Sequence, residues 1–339
     1  MLTALPLEFE AVRQHLDDCS PVKHASGTLY DEGTFAVGNE TIPVLLCQTG
    51  AGNANAAIEA ERAISFFRPT HVFFVGVAGG LKDVAIGDVV AGTKVYNYES
   101  GKAEGDFRTR PEIGNSSYEM VQHARKVSRD RAWTRRIIGS TGVTANSFVG
   151  AIAAGEKVVA SVDSAAHKLI KQAYGDSLAV EMEGFGTLAA VHASHGLESL
   201  IVRGISDLVE GKAESDASGS QQDAVANAAA FAFEVASSIR EMQRPTVDQD
   251  QFWRQLEELT ILLYPKGPDD ASIWQRAGGD ISLLTFSNSP RGVWHNALRI
   301  LRLGGGGAIT TKMLLEAMKT EYGANEQIDS LLTGLKGSV

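Results

Sequence analysis

Apolar positions along the 339-residue chain follow two rhythms. Up to about residue 245, short continuous apolar runs alternate with longer segments whose apolar residues recur every three or four positions. Thr41 to Gln48 and His71 to Val77 read as buried strands, and Ala179 to Glu181 and Leu200 to Val202 as the end of one strand and the start of another. Between them, helices are predicted from P-L-E-F-E-A-V-R-Q-H-L at Pro6, after T-G-A-G-N-A-N-A-A to Phe67, over Tyr118–Ile137, from Gly184 to His195, and over Gln222–Met242. Such alternation is the signature of an α/β domain. Tyr96 to Ser117 is polar and reads as an irregular loop, and Leu208 to Ser220 as a flexible lid.

Past Arg244 and Pro245, a polar V-D-Q-D-Q linker opens a second region with helical spacing only. Helices are predicted over Phe252–Leu263, Asp270–Ala277, Gly292–Leu303 and Lys312–Tyr322, with Trp253, Trp274 and Trp294 as anchors of a small all-α bundle. The expected domains are therefore 1–245 and 246–339.

Composition narrows the class. A hydrophobic content of 44% supplies a core, and 35 glycines suit an α/β chain with many tight turns. The formal charge of −10 argues against a protein that coats nucleic acid. Of 31 basic and 41 acidic side chains, only 9 and 11 lie from Val247 onward, so the acidity belongs mainly to the first domain. The lack of a membrane-length apolar run and of a leader-like start points to the cytoplasm, with no membrane partner. Cys19 and Cys47 read as free thiols, and no histidine, cysteine or carboxylate grouping has metal-ligand spacing. No cofactor is implied.

The candidate chemistry concentrates between Ala179 and Asp207. A-V-E-M-E-G-F-G and L-I-V-R-G-I-S-D place Glu181, Met182, Glu183 and Asp207 at the ends of two strands expected to be parallel, beside Arg203 and Ser206. Strand ends are where α/β sheets build their sites. A plain cluster of surface charges is the structural alternative. A dinucleotide fingerprint at Gly50 and Gly52 fails, because Asn55 stands where the third glycine is needed. Ser206 lacks the G-x-S-x-G setting of a serine hydrolase.

These two motifs, with G-V-A-G-G-L and G-D-V-V after His71–Val77, resemble the purine nucleoside phosphorylase superfamily, most closely its methylthioadenosine/S-adenosylhomocysteine nucleosidase branch. The resemblance implies a three-layer fold with a mixed central sheet, a homo-oligomer (a dimer), and N-glycosidic cleavage of a purine nucleoside or nucleotide. It implies that Asp207 protonates the base, that Glu183 grips the ribose hydroxyls with Met182 packed on the sugar, and that Glu8 with Glu181 orients water. Ala78 and Gly79 would line the substrate with backbone, and Val159 would offer backbone hydrogen bonds to the base. Glu8 equally suits a helix-start carboxylate.

The chain departs from the pattern at several positions. Val77 replaces a serine, Val158 an aromatic base-stacking residue, and Phe74 the arginine that holds phosphate in phosphorylases, which favours water as nucleophile. The first strand of the family is longer, so either residues precede Met1 or this strand is short. Lys102, Arg108 and Arg110 would meet an anionic 5′ substituent, unless they lie on a solvated loop. The run of arginines over Tyr118–Ile137 reads as a solvated basic face. Phosphorolysis and purine sensing without turnover are the competing functions.

The tail resembles the effector-associated, death-like helical adaptors of bacterial conflict systems. L-L-Y-P, I-S-L-L-T-F-S-N-S-P-R-G-V-W-H and E-Y-G-A-N carry that resemblance. It implies a partner protein bearing a similar helical domain. An oligomerisation appendage is the plainer alternative.

Overall fold

The computed structural model describes residues 1–104, 107–139, 145–194, 196–209, 220–243, 249–284 and 289–336. The chain falls into two compact units, Met1–Glu241 and Met242–Val339. The expected lid, the linker and His195 lie at least partly outside the described residues.

The first unit opens with β1 (Leu2–Thr3), α1 (Pro6–Arg13), β2 (Asp17–Lys23), β3 (Leu29–Val37), β4 (Glu40–Gln48) and α2 (Asn53–Phe67). It continues with β5 (His71–Gly80), β6 (Val89–Asn97), β7 (Gly101–Ala103), β8 (Phe107–Thr109), β9 (Glu112–Asn115) and α3 (Tyr118–Asp130). Then follow β10 (Ser147–Ala154), α4 (Ala165–Ala173), β11 (Ser177–Glu181), α5 (Gly184–His192), β12 (Glu198–Leu208) and α6 (Ser220–Gln243). The strands build one mixed sheet in the order β11-β10-β6-β12-β5-β1-β4-β3-β2, with β9 on β6, while β7 and β8 form a separate hairpin. One apolar core packs α3 and α6 against the sheet, and another packs α2 and α5. This is the expected mixed-sheet α/β architecture with helices on both faces.

Curling of the sheet assembles the site. β12 runs parallel to β5 along its length, and the end of β5 also pairs antiparallel with β11 through Gly79↔Val180 and Gly80↔Ala179. The two site strands therefore do not run parallel to each other, contrary to expectation; the ends of both meet at Gly79 and Gly80. A register shift between Ile205 and Asp207 displaces Ser206 from the ladder. Such a bulge re-aims the side chains at a strand end.

Several local expectations change. Tyr96–Ser117 is not an irregular loop: it holds the end of β6, the β7–β8 hairpin and β9. Its strands are three or four residues long and largely exposed, so apolar periodicity does not mark them. The helix expected over Tyr118–Ile137 stops at Asp130, where Arg131 turns left-handed at φ 55°, and a 3₁₀ turn spans Ala132–Arg136. β2 and β3 were not anticipated; β2 is an exposed edge strand carrying Pro21, a position where proline is tolerated.

The second unit holds α7 (Gln249–Leu263), α8 (Ile273–Arg276), α9 (Pro290–Arg302), α10 (Thr311–Glu321) and α11 (Glu326–Lys336), with 3₁₀ turns at Asp270–Ser272 and Ile281–Leu283. Trp274 and Trp294 are fully buried in its core, while Trp253 sits at the margin, with the Arg302 guanidinium 5.9 Å above its ring. Trp253 is thus a rim residue rather than an anchor. Among the described residues no helix is long and apolar enough to cross a membrane.

Close packing of β12 against α6 sets one sharp constraint. A side chain at Gly204 would collide with the backbone carbonyl of Ala224, and backbone cannot move aside as a flexible side chain would. Gly204→Ala is expected to destabilise the first unit by about 1–3 kcal/mol, as overpacking of a well-filled core does. Chemical denaturation followed by far-UV circular dichroism measures it; an unchanged midpoint would contradict this packing.

Candidate active site

The site is built around a guanidinium sealed inside the sheet. Arg203, on β12, has no exposed surface, and its Nη2 donates to Glu181 and, at 3.0 Å, to Glu183 Oε2. Its Cζ lies 4.6 Å from the centre of the Phe74 ring. Phe74 therefore supports the arginine from below by cation–π attraction. Burial alone would lower the Arg203 pKa, but Glu181, Glu183 and Glu8 together raise it, so the cation is held firmly.

Glu181 ends β11 and spends both oxygens within the protein. Its carboxylate accepts from Glu183 N at 2.9 Å and from Gly184 N at 2.8 and 3.0 Å, besides Arg203. Burial pushes its pKa up, Arg203 opposes this, and Glu183 adds to it. Its geometry is that of an anchor: it fixes the start of α5 and the guanidinium together.

Glu183 is the N-cap residue of α5, yet its side chain makes no capping bond there. Oε1 instead accepts from Gly52 N at 3.0 Å, just before α2, and Oε2 takes Arg203. Met182, half-buried beside it, lines the same cleft.

Glu8 reaches the cleft from the first turn of α1. Oε2 accepts from Ala4 N and Leu5 N at 2.7 and 2.9 Å, and Oε1 from Val77 N at 2.8 Å. It serves the helix start and faces the site at once. Burial raises its pKa above the ordinary 4.5, against the lowering effects of Arg203 and the three backbone donors. Any side chain at Gly76 would strike both Arg203 Nη1 and Glu8 Oε1, so the glycine is what lets these two groups approach. Arg203 Nη1 itself makes no hydrogen bond within the protein.

Asp207, 2% exposed, follows the β12 bulge. Its Oδ2 lies 2.9 Å from the Ser206 hydroxyl, which is also 3.4 Å from Ala78 O. A Cβ at Gly79 would sit 3.4 Å from Oδ1, an ordinary contact.

The structure thus brings Glu8, Ala78, Gly79, Val159, Glu181, Met182, Glu183, Ser206 and Asp207 around one cleft of about 220 Å³, with Arg203 buried behind it. Val158, 61% exposed, stands on its wall, next to the cationic Lys157. Lys102, Arg108 and Arg110 are not part of this lining; Lys102 and Arg108 pair with Glu104. Sequence reasoning overlooked Lys157, Ala51 and Gln221 as lining residues. For Ala51 the glycine-rich turn before α2 was an available signal; for Gln221 there was none. Among the described residues no group of histidines, cysteines and carboxylates is placed to hold a metal ion.

ATP nucleosidase Cap17 of Escherichia coli (strain KTE188) is 28% identical over 229 residues, which cover 61% of this chain and 45% of that protein. The chain thus spans less than half the length of that relative. The 5′-methylthioadenosine/S-adenosylhomocysteine nucleosidase of Staphylococcus aureus (strain JH9) is 28% identical over 177 residues, 50% of this chain and 71% of that enzyme. Among solved structures, the corresponding nucleosidase of Neisseria meningitidis, bound to methylthio-immucillin-A, superposes with a TM-score of 0.57 at 25% identity, covering 70% of this chain and 97% of that one. The phosphorylase superfamily model matches residues 1–240, and the chain belongs to that superfamily.

Proposed function

We propose that the first unit hydrolyses the N-glycosidic bond of a purine nucleoside or nucleotide and releases the free base. The observation that carries this reading is the charge of the cleft: four lining carboxylates against one lining cation, Lys157, among the described residues. Cleavage makes the sugar cationic at C1′ while electrons move into the base. A site that stabilises this state needs anions at the sugar and a proton donor at the base.

The roles follow from position. Glu183, held by Gly52 N and Arg203, faces the ribose hydroxyls and the developing cation. A water held by Glu8 on the cleft side attacks C1′; its proton passes to Glu8 as the C1′–N9 bond breaks. Asp207 gives its proton to N7 of the leaving base. Glu181 acts through Arg203 and Glu183, because its own hydrogen bonds are internal. Phosphate as nucleophile would have to enter among these carboxylates with Lys157 alone to meet it, which disfavours phosphorolysis. Sensing without turnover would need neither a base beside the guanidinium nor an acid at the purine. The nucleosidase names of the two relatives support the same chemistry.

In this reading the second unit recruits a partner with a similar helical domain, making the chain an effector. It has its own core, and α9 exposes Arg291, His295 and Arg299 at four-residue steps, a basic stripe suited to an acidic helix. A homodimer of the first unit fits the same reading.

Incubation with a nucleoside and nucleotide panel, with and without phosphate, is expected to release base independently of phosphate. Asp207→Asn keeps the side-chain shape but has no proton to give, so base release is expected to fall by at least two orders of magnitude, the usual scale of general acid catalysis, with binding largely kept. A loss under about fivefold, roughly 1 kcal/mol, would remove Asp207 from the role.

The raised pKa of Glu8 fixes the sign of a pH effect. Its carboxylate must be ionised to take the proton of water, and it protonates at higher pH than a free glutamate as pH falls. The acid limb of kcat/KM is therefore expected above 4.5, and Glu8→Gln is expected to abolish that limb along with most activity. A limb unmoved in Glu8→Gln would assign it to another group.

For the second unit, Arg291→Glu with Arg299→Glu in the full chain is expected to prevent co-purification with a bundle-bearing partner while base release is unchanged. Retained co-purification would place the contact elsewhere.

A further inference from the structure

The start of α5 presents a conflict. Glu183 sits at its N-cap, where a side chain ordinarily accepts the free N–H groups of the first helical turn. In this chain that side chain is turned away, toward Gly52 N and Arg203. Two of the first-turn donors are satisfied from elsewhere. Glu181 takes Gly184 N, and the side chain of Asn53, the first residue of α2, takes Gly186 N through Oδ1 at 2.9 Å. The two helix starts are pressed together so closely that a side chain at Gly186 would collide with the backbone of Asn53.

Asn53 carries a second link. Its Nδ2 donates to Gly155 O at 3.3 Å, and its backbone N–H donates to Glu156 Oε1 at 3.2 Å. Gly155 and Glu156 begin the segment that continues into Lys157, Val158 and Val159 on the cleft wall. That segment is also held by Glu99, which accepts from Glu156 N at 2.8 Å and pairs with Lys157 at 2.6 Å.

We propose that Asn53 is a positioning residue: it caps α5 in place of Glu183, leaving that carboxylate free to face the ribose, while Glu99 holds the wall that carries Val158 and Val159. The assignment rests on the nucleosidase reading for what the cleft holds. Without the Asn53 carboxamide, Gly186 N loses its acceptor and Glu183 is the nearest carboxylate in sequence able to replace it. Swinging back to cap its own helix, Glu183 would leave both Gly52 N and the sugar. The acceptor oxygen is the essential atom, so aspartate at this position preserves the cap whereas alanine does not.

The test compares Asn53→Ala and Asn53→Asp with the unsubstituted residue, each in an Asp207→Asn background, by calorimetric binding of adenosine and of free adenine, together with kcat/KM for base release in the otherwise unsubstituted protein. Asn53→Ala is expected to weaken adenosine binding by about tenfold or more, the scale of losing one hydrogen bond to a charged group, with adenine binding within about twofold of the Asp207→Asn parent. Asn53→Asp is expected to recover most of the adenosine affinity. Equal losses for adenosine and adenine, or no loss for either, would overturn the proposal, as would failure of the aspartate to do better than alanine. If Asn53→Ala does not fold, Asn53→Ser, which keeps an oxygen too short to reach Gly186 N, takes its place under the same criteria. Wild-type protein that binds adenosine but releases no base would defeat the nucleosidase reading and leave this comparison standing.

Discussion

Everything in the cleft depends on keeping one guanidinium charged in a place that water does not reach. Moving a charged group into the interior costs several kcal/mol even after relaxation, and partial pairing does not recover it. Arg203 is stabilised by two carboxylates, by the face of Phe74 and by the field of Glu8. Each of these contacts constrains another element. Glu181 is fixed at the end of β11, Glu183 at the start of α5, Phe74 and Gly76 on β5, and Glu8 on α1. Removing one partner from such a cluster is worse than never having built it, since the remaining charge is left buried. The cation thus acts as the register mark that tells four segments, distant in sequence, where to meet.

The same cluster explains why much of the site was legible in the sequence. Glu181, Glu183, Arg203 and Asp207 come from two short motifs, each on a strand or just after it, and their residue types carry strong physical demands. A carboxylate two residues from another carboxylate at a buried strand end has few roles open to it. Glu8 was legible only through the family resemblance; its place in the opening turn of a helix that starts at Pro6 equally suited a helix-start carboxylate. The α/β alternation and the helical tail were legible from periodicity, because buried strands and amphipathic helices leave opposite rhythms, whereas the mixed sheet was implied only by the family resemblance.

What was not legible depends on contacts distant in sequence. β2, β7 and β8 expose most of their residues and leave no apolar alternation to read. Trp253 has the composition of an anchor and the position of a rim residue, and only packing separates the two. The antiparallel pairing of β11 with β5 needs the curl of the whole sheet. Asn53 stood in the glycine-rich turn singled out for close approach, yet its partners lie 102 and 133 residues away. No spacing rule reaches that far.

The electrostatics of the cleft also constrain how a nucleotide would sit in the proposed reaction. Glu8, Glu181, Glu183 and Asp207 face Arg203 and Lys157, and Arg203 is already engaged by two of the four. Net negative charge in a partly enclosed cleft acts over more than contact distance, because the surrounding protein screens poorly. A phosphate chain is repelled from the region that attracts a cationic sugar. In the proposed reaction a nucleotide would therefore enter with its base and ribose inward and its phosphates outward, toward solvent and its counterions. Lys157, the one lining cation among the described residues, is 74% exposed and tied to Glu99, so it belongs to the rim rather than to the reacting centre. Selection for or against phosphates is then a property of the mouth of the cleft, separable from the carboxylates that break the bond. In the same reading, base recognition on the wall of Val158 and Val159 would be separable again. A single reacting centre can in this way serve substrates that differ at both ends, and the identity of the substrate is written in the residues around it.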